Sequence, residues 1–279
     1  MRMQKSLDNL KNAQLRQKNY LFFKTLWKDF DLVIDDNKTN SLYIISERYN
    51  IFIKVKHGGY IPSSGFLLID SLGKFEFNGK SVIDIGCGET GILAHYLFAR
   101  EASSVVGIDI DPSAIAHAKH SSNVSDYITW IVYDAGNILT NNKFDVIISN
   151  PPQMPMSFEL RKQLKDWHDS CGDTGIELIT QIIKRASTGL RSGGEIFILV
   201  FDFLGVRESY NNTLSIEEIG CRYGFSCEII KSYPKTVRKG GQTEKSISWI
   251  KHVYPKYRFG RDTEGNLCYN ALTVRFQHS

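Results

Sequence analysis

Val82-Ile83-Asp84-Ile85-Gly86-Cys87-Gly88-Glu89-Thr90-Gly91 decides the fold. An apolar strand, Ser81–Ile85, runs directly into a glycine-rich turn, and Ile92–Phe98 continues as a helix. Working outward, the same rhythm recurs. Ser104–Ile108 reads as a strand and Pro112–His120 as a helix, with Asp111 as its N-cap and Pro112 at its first position. Thr129–Val132 and Phe144–Ser149 read as strands, Glu177–Gly189 as a helix and Glu195–Val200 as a strand. Continuous apolar strands alternating with helices predict a doubly wound α/β fold whose parallel sheet is covered on both faces. Cys227–Ile230 and Ala271–Phe276 read as closing strands, and polar, Gly-rich Lys235–Glu244 as a mobile loop. Upstream, Phe66–Leu72 reads as a short helix. Ser41-Leu-Tyr-Ile-Ile-Ser46 and Asn50-Ile-Phe-Ile-Lys-Val55 read as a β-hairpin. In residues 1–30, Leu7, Leu10, Leu15, Leu21, Phe22 and Leu26 recur at roughly helical spacing and predict one or two helices. The expected divisions are an N-terminal helical segment over 1–40, a hairpin and linker over 41–79, and a core over 80–279 with 205–279 as substrate-side and closing strands.

The turn's glycines let a ligand approach the backbone. Dinucleotide enzymes use a similar turn, so the glycines alone do not choose a ligand. Asp84 does. A carboxylate at the strand's end, ahead of Gly86 and Gly88, repels a pyrophosphate and suits a cationic amino group such as that of S-adenosylmethionine. In Gly107-Ile-Asp109-Ile-Asp111-Pro112, Asp109 stands 25 residues after Asp84 at the end of the second strand. An acid there accepts ribose hydroxyls, and the adjoining Ile110 belongs to the same cofactor-side group. In Tyr133-Asp134-Ala135, Asp134 is placed to accept an exocyclic amine of adenine, with Ala135 beside it. Its plainer reading is a loop acid.

The sharpest signal is Phe144-Asp-Val-Ile-Ile-Ser-Asn150-Pro151-Pro152-Gln153, two prolines after an apolar strand. Proline fixes its own φ and restricts its predecessor. Asn150 is therefore held at a strand's carboxyl end, where open α/β sheets bind ligands. Asn-Pro is also a common turn starter; agreement with the three cofactor signals favours the functional reading.

Together these residues resemble the class I methyltransferases of the HemK type, the glutamine methyltransferases of peptide release factors and their relatives. The hairpin, Tyr60-Ile-Pro62, Phe66-Leu-Leu-Ile-Asp-Ser-Leu72, Cys171-Gly-Asp-Thr-Gly-Ile-Glu-Leu178 and Leu190-Arg-Ser-Gly-Gly194 extend the resemblance over residues 41–200. It implies a Rossmann-like, seven-stranded methyltransferase sheet, S-adenosyl-L-methionine as cofactor and methylation at nitrogen. It implies that the Asn150 side-chain oxygen and the Pro151 carbonyl accept the target's N–H bonds, with Pro152 and Gln153 completing the catalytic turn, and that Asp84, Gly86, Gly88, Asp109, Ile110, Asp134, Ala135 and Asn150 line the cofactor. The sequence departs from the family in carrying Gln153 where Tyr or Phe is usual, an extra residue at Glu89-Thr90, and Ser63-Ser64-Gly65 after the early proline. The amide of Gln153 is expected to offer a donor and an acceptor to a planar target. Tyr60, Phe66 and Trp167 are candidates for an aromatic wall, each also readable as core. His57 and His168 are candidate site residues, each also readable as structural or solvated.

Composition narrows the partners. There are 34 basic against 30 acidic residues, a net charge of +4, without a long basic run. That favours a protein, peptide or small amino-acid-like acceptor; nucleic acid is allowed but not demanded. Five scattered cysteines without a C-x-x-C pair argue for reduced thiols and against a metal site. No leader and no long apolar run is visible, so the expectation is a cytoplasmic protein without a membrane partner. The rival readings are an RNA or DNA base methyltransferase and a non-catalytic cofactor-binding subunit.

Overall fold

The computed structural model describes residues 20–35, 41–56, 58–61, 63–134, 143–163, 171–210 and 213–278. At its centre lies β5 (Ser81–Ile85), buried from Val82 onward, as a parallel strand packed on both faces must be. β6 (Ser104–Asp109) and β7 (Thr129–Val132) pair in parallel on one side of it, β8 (Phe144–Ser149) and β9 (Leu190–Phe201) on the other. Antiparallel β12 (Leu267–His278) follows β9, and β10 (Phe225–Thr236) closes the order β10-β12-β9-β8-β5-β6-β7. The two-residue β11 (Gly260–Arg261) pairs with β12 off this path. The chain thus winds outward in both directions from β5 and β8, and ligands bind in the crevice such a reversal opens at the strands' carboxyl ends.

Two cores flank the sheet. One gathers α5 (Glu177–Gly189) and α6 (Ile216–Arg222) against it, with Ile179, Ile182, Ile183, Ile216 and Ile219 buried. The other gathers α1 (Ser63–Ser71), α2 (Ile92–Ala99) and α3 (Pro112–His120). Asp111 caps α3 by accepting from the Ser113 N–H at 2.8 Å, with Pro112 in the first turn. Mid-strand Gly107 has a packing cause: a Cβ there would stand 2.5 Å from the Trp130 ring.

A four-stranded antiparallel sheet, β1 (Tyr20–Trp27), β2 (Phe30–Asp35), β3 (Leu42–Ser46) and β4 (Ile51–Val55), packs on this second core. The β3–β4 hairpin lies where the sequence predicts it. Residues 20–35 correct the expectation of an N-terminal helical segment. Leu21, Phe22 and Leu26 fit a helical spacing, but Phe22, Phe23, Thr25 and Trp27 are aromatic or β-branched and favour a strand, and β3 offers β2 an edge to pair with. Ring contacts seat this sheet: Phe30 lies 5.0 Å from Phe66, and Tyr49 5.1 Å from Tyr96. The helical pattern around Leu7, Leu10 and Leu15 lies outside the described residues. Among the described residues no helix is long and apolar enough to cross a membrane.

The expected loop at Lys235–Glu244 is corrected too. β10 continues through Thr236, paired with Cys268, and α7 (Gln242–Val253) begins six residues later. Only 237–241 form the connection. Glu244 holds it by accepting from the Gly240 N–H at 2.6 Å. Because β10 and β12 meet at their carboxyl-edge ends, the whole excursion 237–266 sits at that edge of the sheet.

Candidate active site

Asp84 is fully buried at the end of β5. One carboxylate oxygen accepts from the Ala94 N–H at 3.1 Å; the other is buried without a partner. Burial, reinforced by the charge of Asp109 and opposed by the Ala94 N–H, pushes the carboxyl up to about 8. The turn then crosses to β6, the N–H groups of Gly86 and Cys87 both reaching the Ile108 carbonyl at 2.9 Å. Gly86 and Gly88 take left-handed φ values of 74° and 63°, with nothing within 4 Å of where a Cβ would stand. The turn's concave side is therefore open to a ligand. Two more orphaned polar atoms sit on this turn, Glu89 Oε2 and Thr90 Oγ1. Buried polar groups are normally satisfied, so three such atoms within seven residues mark a place where a polar ligand belongs.

Asp109, half-buried at the end of β6, is oriented by two backbone donors: Gly88 N–H to Oδ2 at 2.9 Å and Asp111 N–H to Oδ1 at 3.0 Å. A carboxylate keeps further lone pairs for ligand hydroxyls. The next residue, Ile110, is 72% exposed, and Val132 and Tyr133 at the end of β7 are also exposed. An apolar surface left bare beside two acids suits a flat ring with polar edges. Asp134 is exposed just past β7; Ala135 lies outside the described residues.

Across the crevice, Ser149 ties the two central strands by donating to the Ile85 carbonyl at 2.7 Å. Asn150 follows, half-buried, with Pro151 buried behind it. Asp84, Gly86, Gly88, Asp109, Ile110 and Asn150 thus share one carboxyl edge. Gln153 does not join them. It is 3% exposed, and its amide is committed to the protein: Nε2 donates to the Leu199 carbonyl at 2.9 Å and to the Pro151 carbonyl at 3.3 Å, while Oε1 accepts from the Phe201 N–H at 2.7 Å. The expectation that Gln153 offers its amide to the target is corrected, because two open backbone groups of β9 claim it first. Phe66 is core, 1% exposed, whereas Tyr60 is exposed in the linker ahead of α1. His57, Pro62, Trp167 and His168 lie outside the described residues.

Sequence reasoning missed the linker's grip on the turn. Lys56 pairs with Glu89 at 2.9 Å and donates to Ser113 Oγ at 3.2 Å. It also missed a groove of about 470 Å³ between α4 (Phe158–Gln163) and α7, lined by Leu160, Lys245, Trp249 and His252 among others. Lys245, Trp249 and His252, spaced four and three apart, were its only sequence signal. Among the described residues no group of three or more His, Cys, Asp or Glu side chains could hold a metal ion.

Comparison with known proteins shows the family. Residues 61–225 match the methyltransferase small domain. The chain belongs to the methyltransferase small domain family. A candidate protein N5-glutamine methyltransferase of Methanocaldococcus jannaschii is 30% identical over 172 residues, covering 60% of this chain and 85% of that protein. The ribosomal RNA large subunit methyltransferase E of Brachyspira hyodysenteriae is 31% identical over 155 residues, covering 54% and 73%. Among solved structures, a 16S rRNA N2 G1207 methyltransferase of T. thermophilus is 15% identical with a TM-score of 0.46, covering 91% of this chain and 50% of that one. The class I, HemK-type assignment drawn from the motifs stands, and S-adenosyl-L-methionine is this methyltransferase's cofactor. The orphaned atoms, open glycine cradle and paired acids fit it: a cationic amino acid end, a diol and a flat base.

Proposed function

We propose that this methyltransferase methylates a planar, amide-like nitrogen of a protein or peptide, with Asn150 as the residue that orients the acceptor. The observation that carries the reading is the placement of Asn150, half-buried and held between Ser149 and Pro151 at the crevice's edge. Its side-chain oxygen accepts an acceptor N–H, and the second lone pair of the Pro151 carbonyl accepts another. Pro151 contributes no N–H of its own, so the turn presents acceptors to the target. Asp84 and the Gly86–Gly88 turn hold the amino acid end of the cofactor, Asp109 its ribose, Ile110 and Asp134 its adenine. When bound, the cofactor supplies an electrophilic methyl group on a sulfonium. The protein's part is orientation and water exclusion, which supply most of the rate gain in such a transfer. The thiols of all five cysteines are free, in keeping with a cytoplasmic location.

The role of Asp84 predicts a proton count. Its carboxyl, raised to about 8, is mostly neutral at pH 7, and a cationic amino group beside it favours the carboxylate. Cofactor affinity should therefore rise between about pH 6 and 8 and level off above. Calorimetry at pH 7 in buffers of different ionisation heat should show nearly one proton released, and Asp84→Asn should abolish that release. Binding without proton release would remove Asp84 from the cofactor site.

One observation favours a second acceptor class. Residues 237–261, at the same edge, carry seven basic residues against one acid, Glu244, and none of the seven forms an ion pair among the described residues. Such a stretch attracts RNA phosphates. Extract fractions incubated with cofactor labelled in its methyl group test the choice. Label that protease releases and ribonuclease spares supports a protein acceptor. Label released by ribonuclease, with binding that weakens steeply as salt rises, makes RNA the acceptor instead.

A further inference from the structure

A parallel ladder has a fixed grammar. One residue donates its N–H to a carbonyl on the neighbouring strand and accepts from the N–H two residues further along that strand. β8 pairs with β9 as far as Ser149 opposite Ile198. Continuing that register, Pro151 stands opposite Val200, where a donor to the Leu199 carbonyl and an acceptor for the Phe201 N–H are needed. Proline has no N–H. The Gln153 carboxamide makes both bonds, at 2.9 and 2.7 Å, straddling Val200 as a backbone peptide would. Its second Nε2 proton, toward the Pro151 carbonyl at 3.3 Å, ties this side-chain rung back to the proline turn.

We infer that Gln153 is a positioning residue: its amide replaces the ladder rung that Pro151 cannot form, and thereby fixes how far Asn150 projects over the crevice. The inference rests on the reading of Asn150 given above. It separates two tasks in one turn. Asn150 faces the acceptor, and Gln153 clamps the turn to β9. It also accounts for an aliphatic amide where the HemK family usually carries an aromatic ring: the side chain points into the sheet, away from the target.

The test uses two probes. Sinefungin carries an amine where the cofactor carries its methyl group, so its binding reports on Asn150; S-adenosylhomocysteine lacks that group. Gln153→Met keeps side-chain length and removes the amide. It should weaken sinefungin by about fivefold, the scale of one neutral hydrogen bond, while S-adenosylhomocysteine changes less than twofold. Hydrogen exchange at the Phe201 amide should accelerate by a similar factor. Gln153→Glu should recover both readouts as pH falls, because only the neutral acid can donate to the Leu199 carbonyl. Unchanged Phe201 exchange and unchanged sinefungin preference in a folded Gln153→Met protein would overturn the inference. Asn150→Ala, measured alongside, keeps the two failures apart. If it leaves the sinefungin preference intact, the reading of Asn150 fails; if it removes the preference while Gln153→Met does not, only the inference about Gln153 fails.

Discussion

Asn150→Ala is expected to lower turnover by about 10²–10³ while leaving cofactor affinity within a few fold, the scale for removing one preorganised polar contact with a transition state. The size of the effect follows from rigidity. Asn150 is preceded by a serine bonded to β5 and followed by a proline that is clamped through Gln153 to β9. Little reorganisation remains when an acceptor arrives, so the amide's contribution appears in kcat rather than in KM. Single-turnover measurements with the labelled acceptor fraction give the comparison. Turnover preserved within about threefold would make Asn150 a turn residue only and leave methylation at nitrogen without its main structural support.

The second large effect concerns Asp109. Asp109→Ala should weaken S-adenosylmethionine binding by about 1.5–3 kcal/mol, the range for hydrogen bonds to a charged acceptor. Part of that loss is indirect. The same carboxylate receives the Gly88 and Asp111 N–H groups, so alanine also releases the glycine turn and the entry to α3. Asp109→Asn separates the contributions: it keeps one acceptor and the side chain's shape, and should lose less. Calorimetry on variants whose thermal unfolding matches the parent is the check. Unchanged affinity in Asp109→Ala would dissociate the end of β6 from the ribose.

What local chemistry fixes is legible in the sequence. β5, β6, β8 and the second half of β9 are largely apolar runs, and the turn after β5 announces itself by glycines that take positive φ. Asp111 before Pro112 reads as a cap and is one. What escaped depends on partners distant in the chain. The strand β1 was masked by leucines whose spacing fits a helix equally well; β2 and its pairing with β3 settle it. α7 was hidden behind Gly240-Gly241 and a polar first turn, and its seat is tertiary: Trp249 Nε1 donates to the Asp173 carbonyl and the Tyr254 hydroxyl to the Thr174 carbonyl. The orientation of Gln153 was the least legible. Nothing near it in sequence reveals that a carbonyl 46 residues away lacks a donor because residue 151 is proline. The orphaned atoms of Asp84, Glu89 and Thr90 likewise exist only once the fold has buried them.

The most direct measurement locates the transferred methyl group. The labelled protein from an extract reaction is digested and the modified residue sequenced by mass spectrometry. The expected result is a single methyl on a side-chain or backbone nitrogen of amide-like, planar character, formed about 10²–10³ times more slowly by Asn150→Ala. A methyl on a carboxylate oxygen, a carbon or a thiol, formed equally well by Asn150→Ala, would contradict it.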